Sequence, residues 1–226
     1  MARGAWICVV HFPRLSPVQR MAYVRAWSAD MLRALDIELQ STGTPVEGPV
    51  LIVANHVSWL DILAVNAVQP ARFVSRAAVR HWPVLGFLVA SGGTLFIERE
   101  RKRDALRVVH QIADGLRQGQ TLAVFPEGTT SDGRALLPFH ANLLQAAIVT
   151  QAPVQPIVLR YSDATANPSL VPAYIGDMTL LQSVLLIIRA DGLRVRVQRL
   201  APQASAHAER RELAARLRAL MESALG

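Results

Sequence analysis

The sequence predicts a single α/β domain: a mixed, mostly parallel sheet flanked by helices. Three observations lead there. Short apolar runs alternate with helix-spaced segments over nearly the whole chain. The run at 50–54, Val-Leu-Ile-Val-Ala, is apolar without interruption and reads as a buried strand. Finally, 226 residues of which 51% are apolar and 18% charged suffice for one large core, and no repeat, low-complexity stretch or long linker divides them.

The elements follow in order. Residues 17–35 place Val18, Met21, Val24, Trp27, Met31, Leu32 and Leu35 at helical spacing, with Arg20, Arg25 and Arg33 among them. Such a basic amphipathic helix suits a membrane interface, and it equally suits packing on its own domain. Residues 1–36 are therefore read as an N-terminal segment carrying a possible interfacial anchor, and 37–226 as the main domain. Strands are predicted at 37–41, 50–54, 72–75, 94–97, 121–125, 154–160 and 193–199. Helices are predicted at 59–66, 84–91, 104–118, 141–149, 179–189 and 206–224. In the last strand Leu193, Val195 and Val197 alternate with Arg194, Arg196 and Gln198, which predicts one wet face and an edge position. Leu213, Leu217, Leu220, Met221 and Ala224 form the apolar stripe of the final helix.

Charge narrows the partners. The formal net charge is +7, which favours an anionic partner such as a lipid headgroup, a phosphate or an acidic carrier protein. Nucleic acid is not expected, because zinc-finger spacing, an aromatic ribonucleoprotein motif and a basic heptad helix are all missing. A single cysteine, Cys8, leaves no disulfide framework and no cysteine metal site, which suits the cytosolic side of a membrane. No apolar run reaches the roughly 18–20 residues needed to span a bilayer, and the N-terminus lacks a convincing cleavage site.

Polar chemistry gathers where strands are predicted to end. Residues 55–61 read Asn-His-Val-Ser-Trp-Leu-Asp directly after the first buried strand. A neutral imidazole takes a proton near pH 7, and a carboxylate on its other ring nitrogen fixes the tautomer and stabilises the charged form. Five residues turn about 140° around a helix, so His56 and Asp61 meet only if His56 sits on the turn and Asp61 in the helix's first turn. Ser58 with Asp61 also reads as an S-x-x-D capping box, which needs no catalysis. At 92–99 a short strand ends in Arg99, followed by Arg101, Lys102 and Arg103, whose cations suit phosphate or carboxylate or simply form a solvated helix start. At 122–131 a strand ends in Phe125-Pro126-Glu127-Gly128-Thr129-Thr130-Ser131, either an anion-cradling turn or a plain one. The stretch 154–159 around Pro156 reads first as a core strand. Ligands of open α/β sheets bind outside the carboxyl ends of strands, so the shared placement of the first three blocks is what joins them into one candidate site.

Taken in this order, the four blocks resemble the phospholipid/glycerol acyltransferase family, over about residues 50–160. The resemblance implies a glycerolipid acyltransferase-like fold and transfer of a fatty acyl group from coenzyme A or acyl carrier protein to a lysolipid hydroxyl at a membrane surface. It implies His56 as general base and Asp61 as its orienting partner. It places Arg76, Arg99, Glu127, Gly128 and Thr129 on the acceptor and Pro156 on the acyl-donor side, with no metal and no cofactor beyond the donor substrate. Lysophosphatidic acid is the expected acceptor, giving phosphatidic acid, and lyso-ornithine lipid is the alternative. Members acting on phosphate acceptors commonly carry arginine where Thr130 stands, lysine where Arg76 stands, and lysine and glycine near His140 and Asn142. Two other classes compete: a metal-dependent hydrolase using His56, Asp61 and Glu127 as ligands, and a non-catalytic lipid-binding protein relying on the basic helix and net charge.

Overall fold

The computed structural model describes residues 15–76, 95–97 and 102–226. The predicted helix at 84–91 and the residue Arg99 lie outside them. Strands β1 (Glu38–Thr42), β2 (Val50–Ala54), β3 (Arg72–Arg76), β4 (Leu95–Ile97), β5 (Thr121–Val124), β6 (Val154–Ser162) and β7 (Arg194–Arg199) form a sheet of order β1-β7-β6-β2-β5-β3-β4. The five strands from β6 to β4 run parallel, β7 pairs antiparallel with β6, and β1 runs parallel to β7. The mostly parallel sheet foreseen from the alternation of runs is present.

Two cores sandwich the sheet. One holds Ile52, Ala54, Phe73, Phe125, Leu159 and Tyr161. It is covered by α1 (Pro17–Ala34), α2 (Leu60–Val68) and α5 (Leu180–Arg189). The other holds Leu51, Val53, Leu122, Val124 and Val158. It is covered by α3 (Lys102–Arg117), a 3-10 turn at Ala141–Leu144 leading into α4 (Gln145–Thr150), and α6 (Arg210–Leu225). Because successive side chains of β2 point to opposite faces, a run with no polar residue is what a strand between two cores requires.

Local signals set the helix ends. Ser16 and Gln19 form a capping box ahead of Pro17 at the start of α1, and Thr179 with Gln182 does the same for α5. Helix α6 starts at Arg210, four residues later than predicted, because the Glu209 side chain accepts the backbone N–H groups of Arg211 and Glu212 and so caps it there. The expected helix over 141–149 is instead a 3-10 turn followed by a short α-helix. Helix α1 buries Ser28 and Leu32 and packs Trp27, Met31 and Leu35 against the first core. The Arg25 guanidinium donates to the Ala67 carbonyl near the end of α2 at 3.3 Å, which ties α1 to the domain.

The edge position expected for residues 193–199 is not found. Arg194 and Arg196 do face solvent, but β1 pairs along the outer side of β7 and takes the edge. Alternating polarity reports which face of a sheet is wet. It carries no information about whether both strand edges are hydrogen-bonded.

The site is placed by the chain's connections. From β2 the chain turns into α2 on the first face, and from β5 it turns into the 3-10 turn and α4 on the opposite face. Adjacent parallel strands whose continuations part to opposite faces open a crevice at their carboxyl ends, the usual ligand position in open α/β sheets.

Candidate active site

His56 and Asp61 meet in that crevice. His56 lies two residues past β2, and Asp61 occupies the first turn of α2. The His56 Nδ1 and Asp61 Oδ2 atoms are 2.8 Å apart. The same oxygen accepts the backbone N–H groups of Val57 at 2.7 Å and Ser58 at 2.9 Å, while the Tyr161 hydroxyl donates to Oδ1 at 2.6 Å. Asp61 is 0% exposed. Two backbone amides can only donate, so the oxygen facing Nδ1 acts as an acceptor. Nδ1 therefore carries the proton and Nε2 holds a lone pair. Among the described residues Nε2 has no hydrogen-bond partner, and the His56 side chain is 19% exposed, enough for a substrate to reach it.

The S-x-x-D pair forms only half of a capping box. The Asp61 carboxylate accepts the Ser58 N–H, but Ser58 Oγ accepts the Leu60 N–H at 3.3 Å while the Asp61 N–H goes to the Ser58 carbonyl, and Trp59, which opens α2, makes no side-chain cap. The carboxylate that partners the histidine also ties down the turn ahead of α2, and its place at a helix N-terminus suits its negative charge.

The imidazole is fixed on its other side by Phe125. The two rings stack with centroids 3.9 Å apart and 6° between planes, and Phe73 backs Phe125 at 5.4 Å. Burial pushes the Tyr161 hydroxyl well above its ordinary pKa, and the Asp61 charge and hydrogen bond add to this, so it stays a proton donor to Oδ1. Neither residue was foreseen. Tyr161 lies near the end of β6, a hundred positions from Asp61, and the one hint was a phenol at the end of a strand predicted to be buried, since a buried hydroxyl needs a partner.

Glu127 supports the site from behind. It is buried, Oε1 accepts the His56 backbone N–H at 2.8 Å, and Oε2 accepts the Leu137 N–H at 2.9 Å. Burial raises its pKa above the usual carboxylate value, and these two hydrogen bonds oppose the shift. The Ser131 N–H donates to the His56 carbonyl at 2.8 Å. The loop after β5 thus grips the peptide groups on both sides of His56. Gly128 has φ +74°, a conformation that favours glycine, and its N–H closes the turn on the Phe125 carbonyl at 3.1 Å. Thr129 beside it is exposed.

Asn55 completes the frame. Its amide exchanges two hydrogen bonds with Leu159, donating to the carbonyl at 2.9 Å and accepting the N–H at 2.7 Å. The side chain thereby continues the β2–β6 ladder one step past the end of β2. Pro156 sits lower in the same pairing, buried opposite Val53, and its carbonyl accepts the Leu200 N–H. Arg76 is the last residue of β3. Thr130 Oγ1 donates to the Tyr174 carbonyl, and the Tyr174 N–H donates to the Val57 carbonyl at 2.9 Å. Thr130 therefore joins the β5 loop to the segment leading into α5.

Comparison with known proteins bears on this geometry. The profile of the Acyltransferase family matches residues 36–160, a span that holds His56, Asp61 and the whole β5 loop. The chain belongs to the acyltransferase family. It is 37% identical over 195 residues to the lyso-ornithine lipid O-acyltransferase of Pseudomonas aeruginosa, covering 86% of this chain and 75% of that one. It is 39% identical over 183 residues to the 1-acyl-sn-glycerol-3-phosphate acyltransferase of Neisseria gonorrhoeae, covering 80% and 71%. The fold is that of the crystal structure of the 1-acyl-sn-glycerophosphate (LPA) acyltransferase, PlsC, from Thermotoga maritima, with a TM-score of 0.73, 18% identity, and coverage of 99% of this chain and 86% of that one. The protein is a lysolipid O-acyltransferase with a lysolipid acceptor and an acyl donor as substrates.

Proposed function

We propose that this acyltransferase moves a fatty acyl group from coenzyme A or acyl carrier protein to the free hydroxyl of 1-acyl-sn-glycerol-3-phosphate, with His56 as general base. The observation that carries the reading is the His56–Asp61 pair, whose hydrogen bonds leave Nε2 unprotonated and accessible. In the proposed step Nε2 takes the acceptor's hydroxyl proton as its oxygen attacks the thioester carbonyl. The tetrahedral intermediate collapses, the carbon–sulfur bond breaks, and the departing thiolate recovers the proton from the imidazolium. General-base help of this kind is worth roughly 10²–10⁴-fold, and the buried Asp61 carboxylate stabilises the imidazolium formed on the way.

Gly128 and Thr129 are proposed to border the acceptor, because they lie on the turn whose Glu127 holds His56. Arg99 and Arg76 are proposed for the acceptor phosphate. Strand β4 runs parallel to β3 and ends at Ile97 on the crevice side of the sheet, and Arg76 closes β3. Pro156 is proposed for the acyl-donor side on the family resemblance alone. The enzyme is proposed to work at the cytoplasmic face of a membrane without spanning it, with residues 1–36 contributing to attachment. Among the described residues no helix is long and apolar enough to cross a membrane.

Lyso-ornithine lipid is the second reading for the acceptor. Thr130, where phosphate-acceptor enzymes commonly carry arginine, is engaged with the Tyr174 carbonyl, and several relatives bear the lyso-ornithine name. The metal-hydrolase reading has less support. The oxygens of Asp61 and Glu127 are already taken by hydrogen-bond donors, and among the described residues no group of three His, Cys, Asp or Glu is placed to hold an ion.

One experiment tests the proposal. Purified enzyme is given acyl donor with lysophosphatidic acid and lyso-ornithine lipid in parallel, and the ratio of rates decides the acceptor. His56→Ala should abolish transfer to both, and normal turnover by a folded His56→Ala protein would overturn the mechanism. Activity lost to chelator, together with stoichiometric bound metal, would favour the hydrolase reading.

A further inference from the structure

Helix α5 carries more apolar side chain than its packing uses. Its inner side, with Ser183 and Ile187 buried and Leu180 and Val184 partly so, sits on the first core. On the outside Leu181 is 69% exposed and Ile188 60%, and Leu185 and Leu186 are exposed as well. At about 100° per residue, positions 181, 185 and 188 fall on one stripe. The helix has no acidic residue, and Gln182 and Arg189 are the polar side chains beside that stripe. Asp177 and Asp191 lie beyond its two ends. The exposed Leu170 and Ile175 precede it in the segment that holds Tyr174.

This surface is wired to the catalytic turn. Ser183 on α5 accepts a hydrogen bond from the Trp59 indole at 3.1 Å, and Trp59 stands between Ser58 and α2, two residues from Asp61. Tyr174, in the segment leading into α5, bonds the backbone of Val57 beside His56. Helix α5 also shares its sheet face with Phe125, whose ring carries the His56 imidazole.

We propose that the Leu181/Leu185/Leu186/Ile188 surface of α5 is a membrane-docking site that inserts into the headgroup–acyl boundary of the bilayer and holds the His56 crevice against it. The occupant follows from the substrate. A lysolipid acceptor resides in the bilayer, so the surface joined to the site must face lipid, and an apolar stripe without acidic charge on a protein of net charge +7 complements an anionic membrane surface. Large apolar side chains grouped in this way on a soluble face mark an interaction site. The inference rests on the membrane-surface reading above but is independent of the N-terminal helix.

The test compares the full-length enzyme with Leu181→Ser/Leu185→Ser/Ile188→Ser and with the milder Leu181→Ala/Ile188→Ala. Both are first checked for a native circular dichroism spectrum and cooperative unfolding, and the milder pair serves if the triple variant does not fold. Binding is measured by co-sedimentation with vesicles of phosphatidylcholine and phosphatidylglycerol. Rates are measured with acceptor in those vesicles and with a short-chain acceptor dispersed as monomers. Withdrawing one fully inserted leucine is worth about ten-fold in partitioning. The triple variant should therefore bind vesicles at least about ten-fold more weakly and lose vesicle-borne turnover in proportion, while its rate on the monomeric acceptor stays within about two-fold. Unchanged vesicle binding in the folded variants would overturn the proposal and leave the membrane reading intact. A wild-type enzyme that ignores vesicles would remove the membrane reading itself. A wild-type dimer that the variants convert to monomer would assign the surface to a second copy of the chain and also overturn the proposal.

Discussion

Replacing Asp61 by asparagine separates two jobs that the carboxylate does together. The buried group takes four donors: three on Oδ2, from His56, Val57 and Ser58, and one on Oδ1, from Tyr161. Asparagine can satisfy the same set if its carbonyl oxygen replaces Oδ2 and its amide donates to the Tyr161 oxygen, because a phenol both donates and accepts. The opposite orientation would turn an NH₂ group against three donors. Asp61→Asn is therefore expected to fold, with a cost of about 1–2 kcal/mol, and to keep the Nδ1–H tautomer. It loses the negative charge. A unit charge about 4 Å from the imidazolium contributes about 4 kcal/mol at an effective dielectric near 20, or about a thousand-fold in rate, so kcat should fall by about 10²–10³-fold.

Asp61→Ala gives the contrast. It strands two backbone N–H groups and a phenol in a site without solvent, at about 1–3 kcal/mol each, against a total stability of about 5–15 kcal/mol. The alanine variant should be severely destabilised where the asparagine variant is not. Urea unfolding followed by circular dichroism measures the first effect, and initial rates with saturating acyl donor and lysolipid measure the second. Wild-type turnover by Asp61→Asn would refute the charge argument. An alanine variant as stable as the asparagine variant would refute the accounting of buried donors.

Three further substitutions probe the frame. Tyr161→Phe removes the donor to Oδ1 without changing the packing volume, and a hydrogen bond to a charged group should cost about 1.5–3 kcal/mol in urea unfolding together with a measurable fall in kcat. Equal stability and rate would mean that the bond is not formed in solution. Glu127→Gln exchanges an acceptor for a donor and leaves the His56 or Leu137 N–H unpaired, at about 1–3 kcal/mol. Because burial raises Glu127's folded pKa above the ordinary 4.5, its contribution to wild-type stability is full below about 4.5 and is lost as pH rises through the raised value. The glutamine variant should lack that decline, and unfolding curves from pH 4 to 7.5 that run parallel for the two proteins would contradict it. Gly133→Ala forces a Cβ at φ +74° to within 3.0 Å of Val57 Cγ2. It should cost about 1–2 kcal/mol and lower kcat through the displaced Val57–Asp61 contact, as read from paired unfolding and rate measurements.

Much of this protein was legible from local pattern. Strand β2 was given by its unbroken apolar run, α1 by its helical periodicity, and the grouping of polar residues past strand ends by the order of the residues. The rule that ligands sit at the carboxyl ends of such strands then joined His56 to the β5 loop. Each of these signals is local, resting on the period with which side chains alternate between the faces of a strand or a helix.

Tertiary structure decided the rest, because those questions concern partners distant in sequence. Whether Asp61 caps a helix or orients a histidine had no answer in its spacing, and the fold gives it the histidine and the turn ahead of α2 by bringing Val57, Ser58 and Tyr161 to its two oxygens. Glu127 read as a group facing a ligand, yet its oxygens point inward to the backbone of His56 and Leu137. Phe125 read as a strand residue and supplies the surface on which the imidazole lies. Strand β7 read as an edge until β1 was found beside it. Polarity along a segment records only its exposure to water. Which donor meets which acceptor is set by sheet order and by the faces to which the chain departs, and only the folded arrangement contains these.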